Sequence, residues 1–299
     1  MLIRDTTVDD IADLAAIRYA VEPWLVATVE TQRIWFEGNP PEAQVARYCA
    51  EIDGRVLANG WAKRDLYADR PDAGVMALFV HPDVQRQGIG TDLLRRLEDH
   101  LRGIGVARVQ AHIVANPATL AFAQRHGFTL GAAVRMVAAD PRVLPSAPDI
   151  PPGVTVLSAG EAGPRPWYDV VDVAARDEPG DVPFTGMPYE DFLVHKWPAI
   201  DKDLSLIAFV DGRPAATTAL IADYDIRKVM SGGTDALREY RGRGLVKLIK
   251  VLSLARAAER GIIAAYTGND EVNAPMRAIN AWLGYELIGE SRAALKQLI

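Results

Sequence analysis

Apolar residues recur along the chain in two rhythms. In "GTDLLRRLEDHLRG", Leu93, Leu94, Leu97 and Leu101 fall three or four positions apart, which places them on one face of a helix. "GVMALFV" (74–80) is instead a short unbroken apolar run, the pattern of a buried strand. "TVDDIADLAAIRYAV" reads as a helix capped by Thr7, and a second helical stretch is expected at about 40–48. Strands near 48–53 and 55–63 flank Asp53-Gly54, a hairpin signal. "ARVQAHIVA" (107–115) is a strand, "PATLAFAQRHG" a helix with Pro in its first turn, and "TLGAAVRMVA" a last strand. The order is two helices, three strands, then helix, strand, helix, strand, with an antiparallel start and a parallel crossover.

The same order recurs further on. Gly54 and Gly212 follow an Asp in matching hairpins, 158 positions apart. Gly88 and Gly244 open matching helices that end at Gly105 and Gly261, both pairs 156 apart. Asn116 with Asn273, and Gly127 with Gly284, are 157 apart. Five landmarks at a near-constant offset mark an internal repeat. The proline-rich "DPRVLPSAPDIPPGV" (140–154) cannot continue a helix or a central strand. The expected division is a first domain over 1–145, a linker over 146–153 and a second domain over 154–299.

The repeat narrows the chemistry to two glycine-rich turns, "VQRQGIGTDLL" and "YRGRGLVKLIK". Each joins a strand to a helix whose first amides lack partners and suit an anion. A P-loop would need Gly-Lys-Ser/Thr here, and neither turn has it. A dinucleotide fingerprint would need a third glycine where Leu93 stands. A kinase loop would lie inside a hairpin and be followed by a catalytic loop, which is missing.

Composition removes further classes. A formal net charge of −6 argues against a general nucleic-acid binder. The single cysteine, Cys49, allows neither an intramolecular disulfide nor a cysteine-based zinc site. No metal is expected. The N-terminus does not read as a signal peptide, and no apolar run reaches membrane-spanning length, so the expected setting is the cytoplasm.

The element Gln/Arg-x-x-Gly-x-Gly/Ala between a strand and a long helix resembles the signature of the GNAT acyltransferase superfamily. In the first half it reads Gln85-Arg86-Gln87-Gly88-Ile89-Gly90, and in the second Arg241-Gly242-Arg243-Gly244-Leu245-Val246. "NPATLAFAQRHGF" and "NAPMRAINAWLGY" resemble the family's later segment. The resemblance covers nearly the whole chain. It implies an α/β (α+β) protein with two copies of the GNAT fold, each a mixed central sheet flanked by helices. It also implies an enzyme moving an acyl group, usually acetyl, from acyl-coenzyme A to an amine, here a small-molecule acceptor, with the chain a monomer or homodimer.

The resemblance further implies the coenzyme contacts. The amides of Arg86 to Thr91 and of Gly242 to Lys247 would hold the pyrophosphate, with Arg241 and Arg243 pairing phosphates. Leu78, Phe79 and Val80, and correspondingly Thr234, Asp235 and Ala236, would bond the pantetheine arm as an added strand. Asn116 and Asn273 would bind the arm from the next strand.

Departures from the family pattern are specific. Val246 replaces a small residue and would crowd the phosphates, so the first turn is the more intact. The family's acid, a Tyr, is replaced by Ala123 and Asn280, and no Glu aligns with its frequent base. His112, Asp72 and Asp225 are the candidate bases. Two other readings stand beside transfer to a small amine: a non-catalytic acyl-coenzyme A-binding sensor, and a transferase with one degenerate domain acting on a protein amine. Trp24, Trp35 and Phe36, and Trp167, Tyr168, Phe184, Tyr189 and Trp197, occupy the family's acceptor region, and "DEPGDVPFTGMPYEDF" (177–192) reads as an acceptor-side loop.

Overall fold

Strand β1 (Leu2–Asp5) precedes the first helix of a computed structural model that describes residues 1–176, 185–270 and 272–299. Half of the proposed acceptor loop (177–184, with Phe184) and Glu271 lie outside the described residues. At four residues on an exposed terminus, β1 carries too few positions to show alternation, and periodicity does not reveal it. Thr7 then starts a 3-10 turn, with Asp10 returning a bond to the Thr7 amide at 2.8 Å, and α1 (Ile11–Val21) follows. The second helix, α2 (Val29–Glu37), is not at 40–48 as the sequence predicts. Thr28 caps it at Thr31, and Pro40-Pro41 leave only a 3-10 turn at 41–43.

The rest of the first copy runs β2 (Ala46–Ile52), β3 (Arg55–Arg64), β4 (Ala73–Val80), α3 (Ile89–Gly103), β5 (Arg108–Val114), α4 (Pro117–Arg125) and β6 (Thr129–Ala139). The second copy repeats it as β7 (Val154–Ser158), α5 (Ala159–Ala162), α6 (Pro164–Ala175), α7 (Tyr189–His195), β8 (Leu206–Val210), β9 (Arg213–Asp223), β10 (Lys228–Ala236), α8 (Leu245–Glu259), β11 (Ala264–Asp270), α9 (Ala274–Trp282) and β12 (Glu286–Gln297).

Compactness divides the chain differently from sequence order. One unit joins Met1–Val134 to Gly289–Ile299, and the other holds the described residues from Arg135 to Ile288. The first unit's sheet is ordered β1-β2-β3-β4-β5-β12, and the second unit's β6-β11-β10-β9-β8-β7. The last strand of each copy passes partway along into the other unit, β6 from Arg135 and β12 from Gly289. Ser291 to Gln297 run antiparallel to Val114 to Arg108, with Ser291 opposite Val114 and Gln297 opposite Arg108. The repeats stay contiguous in sequence while their closing strands are exchanged.

In the first unit α3 covers one sheet face. Leu97 and Leu101 are fully buried there against Ala62, Met76, Val109 and Ala294, the last supplied by β12. α1 covers the other face, where Ile17 packs on Cys49, Ala77 and Phe79. In the second unit α8 plays the part of α3, with Val251, Leu254 and Ala257 against Leu220 and Val229.

Candidate functional site

Parallel strands β4 and β5 pair only from Ala73↔Arg108 to Met76↔Ala111. Beyond that point β4 continues to Val80 and β5 to Val114 without a shared ladder. Their upper ends therefore open into a cleft, and Leu78, Phe79 and Val80 line its β4 side. β10 and β11 behave alike: pairing runs from Lys228↔Ala264 to Met230↔Tyr266 and stops, which leaves Thr234, Asp235 and Ala236 beyond the last pair.

The cleft in each unit leads to its glycine-rich turn. Gly88 (φ 84°) and Gly244 (φ 78°) are the residues before α3 and α8, in the left-handed region that disfavours a side chain. A Cβ on either would meet nothing within 4 Å, so the space above each turn is open. The amides of Arg86, Gln87, Gly88, Ile89 and Gly90 donate to no protein acceptor among the described residues, and neither do those of Gly242 to Val246. Thr91 is already engaged, its amide donating to the Gly88 carbonyl at 3.0 Å. Unpaired amides converging at a helix start form a cradle for an anion.

Sequence reading missed what holds the turns in place. Gln85 donates from Nε2 to the Val80 carbonyl at 3.0 Å, and Arg241 from Nε to the Ala236 carbonyl at 3.0 Å. Both bonds tie the first motif residue to the strand end five positions back, a spacing that the sequence displays. Arg243 lies over the Tyr240 ring at 5.2 Å, and Lys247 over the Trp282 ring at 3.8 Å. These cations are oriented by aromatic partners within their own unit.

The two units differ at the opening of the cleft. The β3–β4 register is continuous from Ala58↔Val80 to Arg64↔Gly74. The β9–β10 register slips between Ser231 and Gly233, a bulge that begins one residue past the last β10–β11 pair. Bulges re-aim backbone groups out of the ladder. A second feature is shared: Asn59 and Thr217, equivalent at the offset of 158, each bury a polar atom (Nδ2 and Oγ1) that has no partner among the described residues. Their cross-strand neighbours are Phe79 and Asp235. Thr218 and Thr234 link their hydroxyls at 3.1 Å.

Other expected residues are scattered. Asn116 and Asn273 accept from the Thr119 and Met276 amides at 2.9 and 3.2 Å, as N-caps of α4 and α9. His112 is exposed on β5, with Nε2 3.1 Å from Gln110 Nε2. Asp72 lies before β4, at its paired end and away from the turn. Its bond to Arg70 at 3.2 Å holds its carboxyl below the usual range. Asp225 sits in the loop between β9 and β10, its amide bonded to Asp223. Within the first unit His112 and Asp72 stand at opposite ends of the β4–β5 pair, and the positions of Asp72 and Asp225 in their own units lend no support to a role as base. Ala123 and Asn280 are buried.

The aromatic residues are largely structural. Trp167, Tyr168, Tyr189, Phe192 and Trp197 pack on one another at centroid distances of 5.0 to 6.3 Å, and Tyr168 donates to the Met187 carbonyl at 2.7 Å. Trp24 is buried against Gly289. Among the described residues no cluster of His, Cys, Asp and Glu could hold a metal ion, and no helix is long and apolar enough to cross a membrane.

Residues 8–128 match the model of the Acetyltransferase (GNAT) family. No curated protein sequence matches the chain. Solved structures match over its full length. A tandem GNAT protein from the clavulanic acid biosynthesis pathway has a TM-score of 0.75 at 18% identity, covering 100% of this chain and 98% of its own. A GCN5-related N-acetyltransferase from Sphaerobacter thermophilus has a TM-score of 0.71 at 21% identity, covering 99% and 95%. A putative acetyltransferase from Pyrococcus horikoshii has 0.62 at 14%, covering 99% and 89%. At these identities the likeness is one of fold.

Proposed function

Since residues 8–128 belong to the GNAT acetyltransferase family and the whole chain has a tandem GNAT fold, we propose that it transfers an acyl group from acyl-coenzyme A to the amine of a small molecule. One observation carries this reading: in both units, two diverging parallel strands lead to a turn of unpaired amides at a helix start. A pantetheine arm is peptide-like and suits the free strand edges at Leu78–Val80 and Thr234–Ala236. The amides of 86–90 and 242–246 suit a pyrophosphate.

We assign the chemistry to the second unit. Its β10 bulge frees backbone groups where the strands part, and a freed N–H aimed there would polarise the thioester carbonyl. The neutral amine attacks that carbonyl and forms the carbon–nitrogen bond, the carbon–sulfur bond breaks, the thiolate leaves, and the proton shed by the nitrogen passes to solvent water. A thiol of pKa about 8.5 is a leaving group that water can reprotonate, so the loss of the family's Tyr at Ala123 and Asn280 is compatible with turnover. Those two replacements also favour a second reading, coenzyme binding without transfer.

Calorimetric titration with acetyl-coenzyme A counts the sites, and two are expected. Thiol release over a panel of small amines then separates the readings. Tight binding with no release for any amine would leave the second reading standing, and no binding at all would end both.

A further inference from the structure

A cavity of about 440 Å³ opens in the first unit between α2, the 3-10 turn at 41–43, the start of β2 and the C-terminal end of α3. It is remote from the glycine-rich turn. α3 starts at that turn and runs away from it, and the ten steps from Gly90 to His100 span about 15 Å at about 1.5 Å each.

Arg47 lines the cavity with a guanidinium. Its Nη2 donates to the Phe36 carbonyl at 2.6 Å, and its guanidinium lies 4.5 Å from the Phe36 ring centroid. No carboxylate among the described residues stands within ion-pair distance of it. A guanidinium has five N–H donors, and one is used. Half-burial without an ionic partner disfavours the charge and holds its pKa below the ordinary value.

The second unit supplies the comparison. Between α7 and β8, Lys202 makes the same fold-back on Trp197, lying 4.6 Å from its ring centroid and donating to its carbonyl. It also donates to the Ile200 carbonyl at 2.8 Å. Two of its three donors thus have backbone acceptors, whereas most of the donors on Arg47 do not.

The rest of the lining selects among anions. Pro40 and Ile104 contribute apolar wall. His100 holds the Gln44 carbonyl at 2.6 Å from Nε2. Glu37 also lines the cavity, with Arg33 as its partner at 3.7 Å. A resident carboxylate repels di- and trianions more than a monoanion. We propose that this cavity binds a small monocarboxylate with an apolar body, its carboxylate on the Arg47 guanidinium, at a site separate from acyl transfer.

The test uses the full chain and benzoate as probe, followed by ligand-observed NMR and calorimetry. Saturable binding below about 10 mM is expected, weakened about tenfold or more by Arg47→Lys, which keeps the charge but loses the planar fork. Gln44→Glu changes an exposed lining residue, adds a second carboxylate, and should weaken benzoate as well. It decides the matter if Arg47→Lys fails to fold. Gly88→Val should leave benzoate binding intact. The proposal is overturned if benzoate does not bind, if a folded Arg47→Lys or Gln44→Glu binds it like the wild type, if Gly88→Val abolishes binding, or if inorganic phosphate binds as tightly.

Discussion

Lys296 and Glu98 are 198 positions apart in the chain, yet Nζ of Lys296 lies 2.5 Å from Oε1 of Glu98. Arg102 takes the other oxygen at 3.0 Å. Glu98 is buried on α3, and Lys296 reaches it from β12, so the pair anchors the chain's last strand to the first unit. Glu98→Ala leaves Lys296 without its carboxylate in a largely buried place. We expect a loss of about 2–4 kcal/mol in denaturant unfolding, less for the more exposed Arg102→Ala.

Gly289 tests the same strand by shape. A Cβ there would lie 2.9 Å from Cζ3 of Trp24, closer than side chains tolerate. Gly289→Ala should destabilise by about 1–3 kcal/mol, and Trp24→Phe in the same chain should recover part of it. Equal melting temperatures for wild type and Gly289→Ala would contradict the packing.

Substitution at Gly233 is expected to separate binding from chemistry. It holds φ 134° at the β10 bulge, where an L side chain is strained. Gly233→Val should lower thiol release by about tenfold or more while the acetyl-coenzyme A stoichiometry stays unchanged. Equal release rates would remove the bulge from the mechanism.

Lys250 gives a pH signature. It stands on α8 where the offset of 156 puts Leu94 in the first unit, and burial pushes its pKa down to about 8. The folded value lies below the unfolded one of about 10.4, so the unfolded chain binds more protons between them. Stability should rise as pH goes from about 8 to about 10.4. Lys250→Leu should abolish that rise and stabilise the protein at neutral pH by on the order of 2–4 kcal/mol.

Much of the fold was legible because the helices and inner strands bury single faces or whole runs. Leu93, Leu94, Leu97 and Leu101 declare α3, and "GVMALFV" declares β4. The turns were legible because Gly88 and Gly244 need a left-handed backbone. The exchange of β6 and β12 was not, because a strand's pattern tells which face it buries but not which edge it joins. The bulge was hidden for a related reason: "SGGTD" marks a loose place in β10 without saying where the register slips. The polar atoms of Asn59 and Thr217 looked like ordinary strand residues, since burial without a partner is a property of the assembled sheet.

The placement of β12 has a consequence for the nascent chain. Val114 leaves the ribosome 177 residues before Ser291, its partner in the sheet. At 5–20 residues per second the free edge of β5 waits roughly 10–35 s for the strand that covers it. The half translated first is therefore the half completed last, and for that interval its open edge is the surface on which a chaperone, or a neighbouring nascent chain, would act.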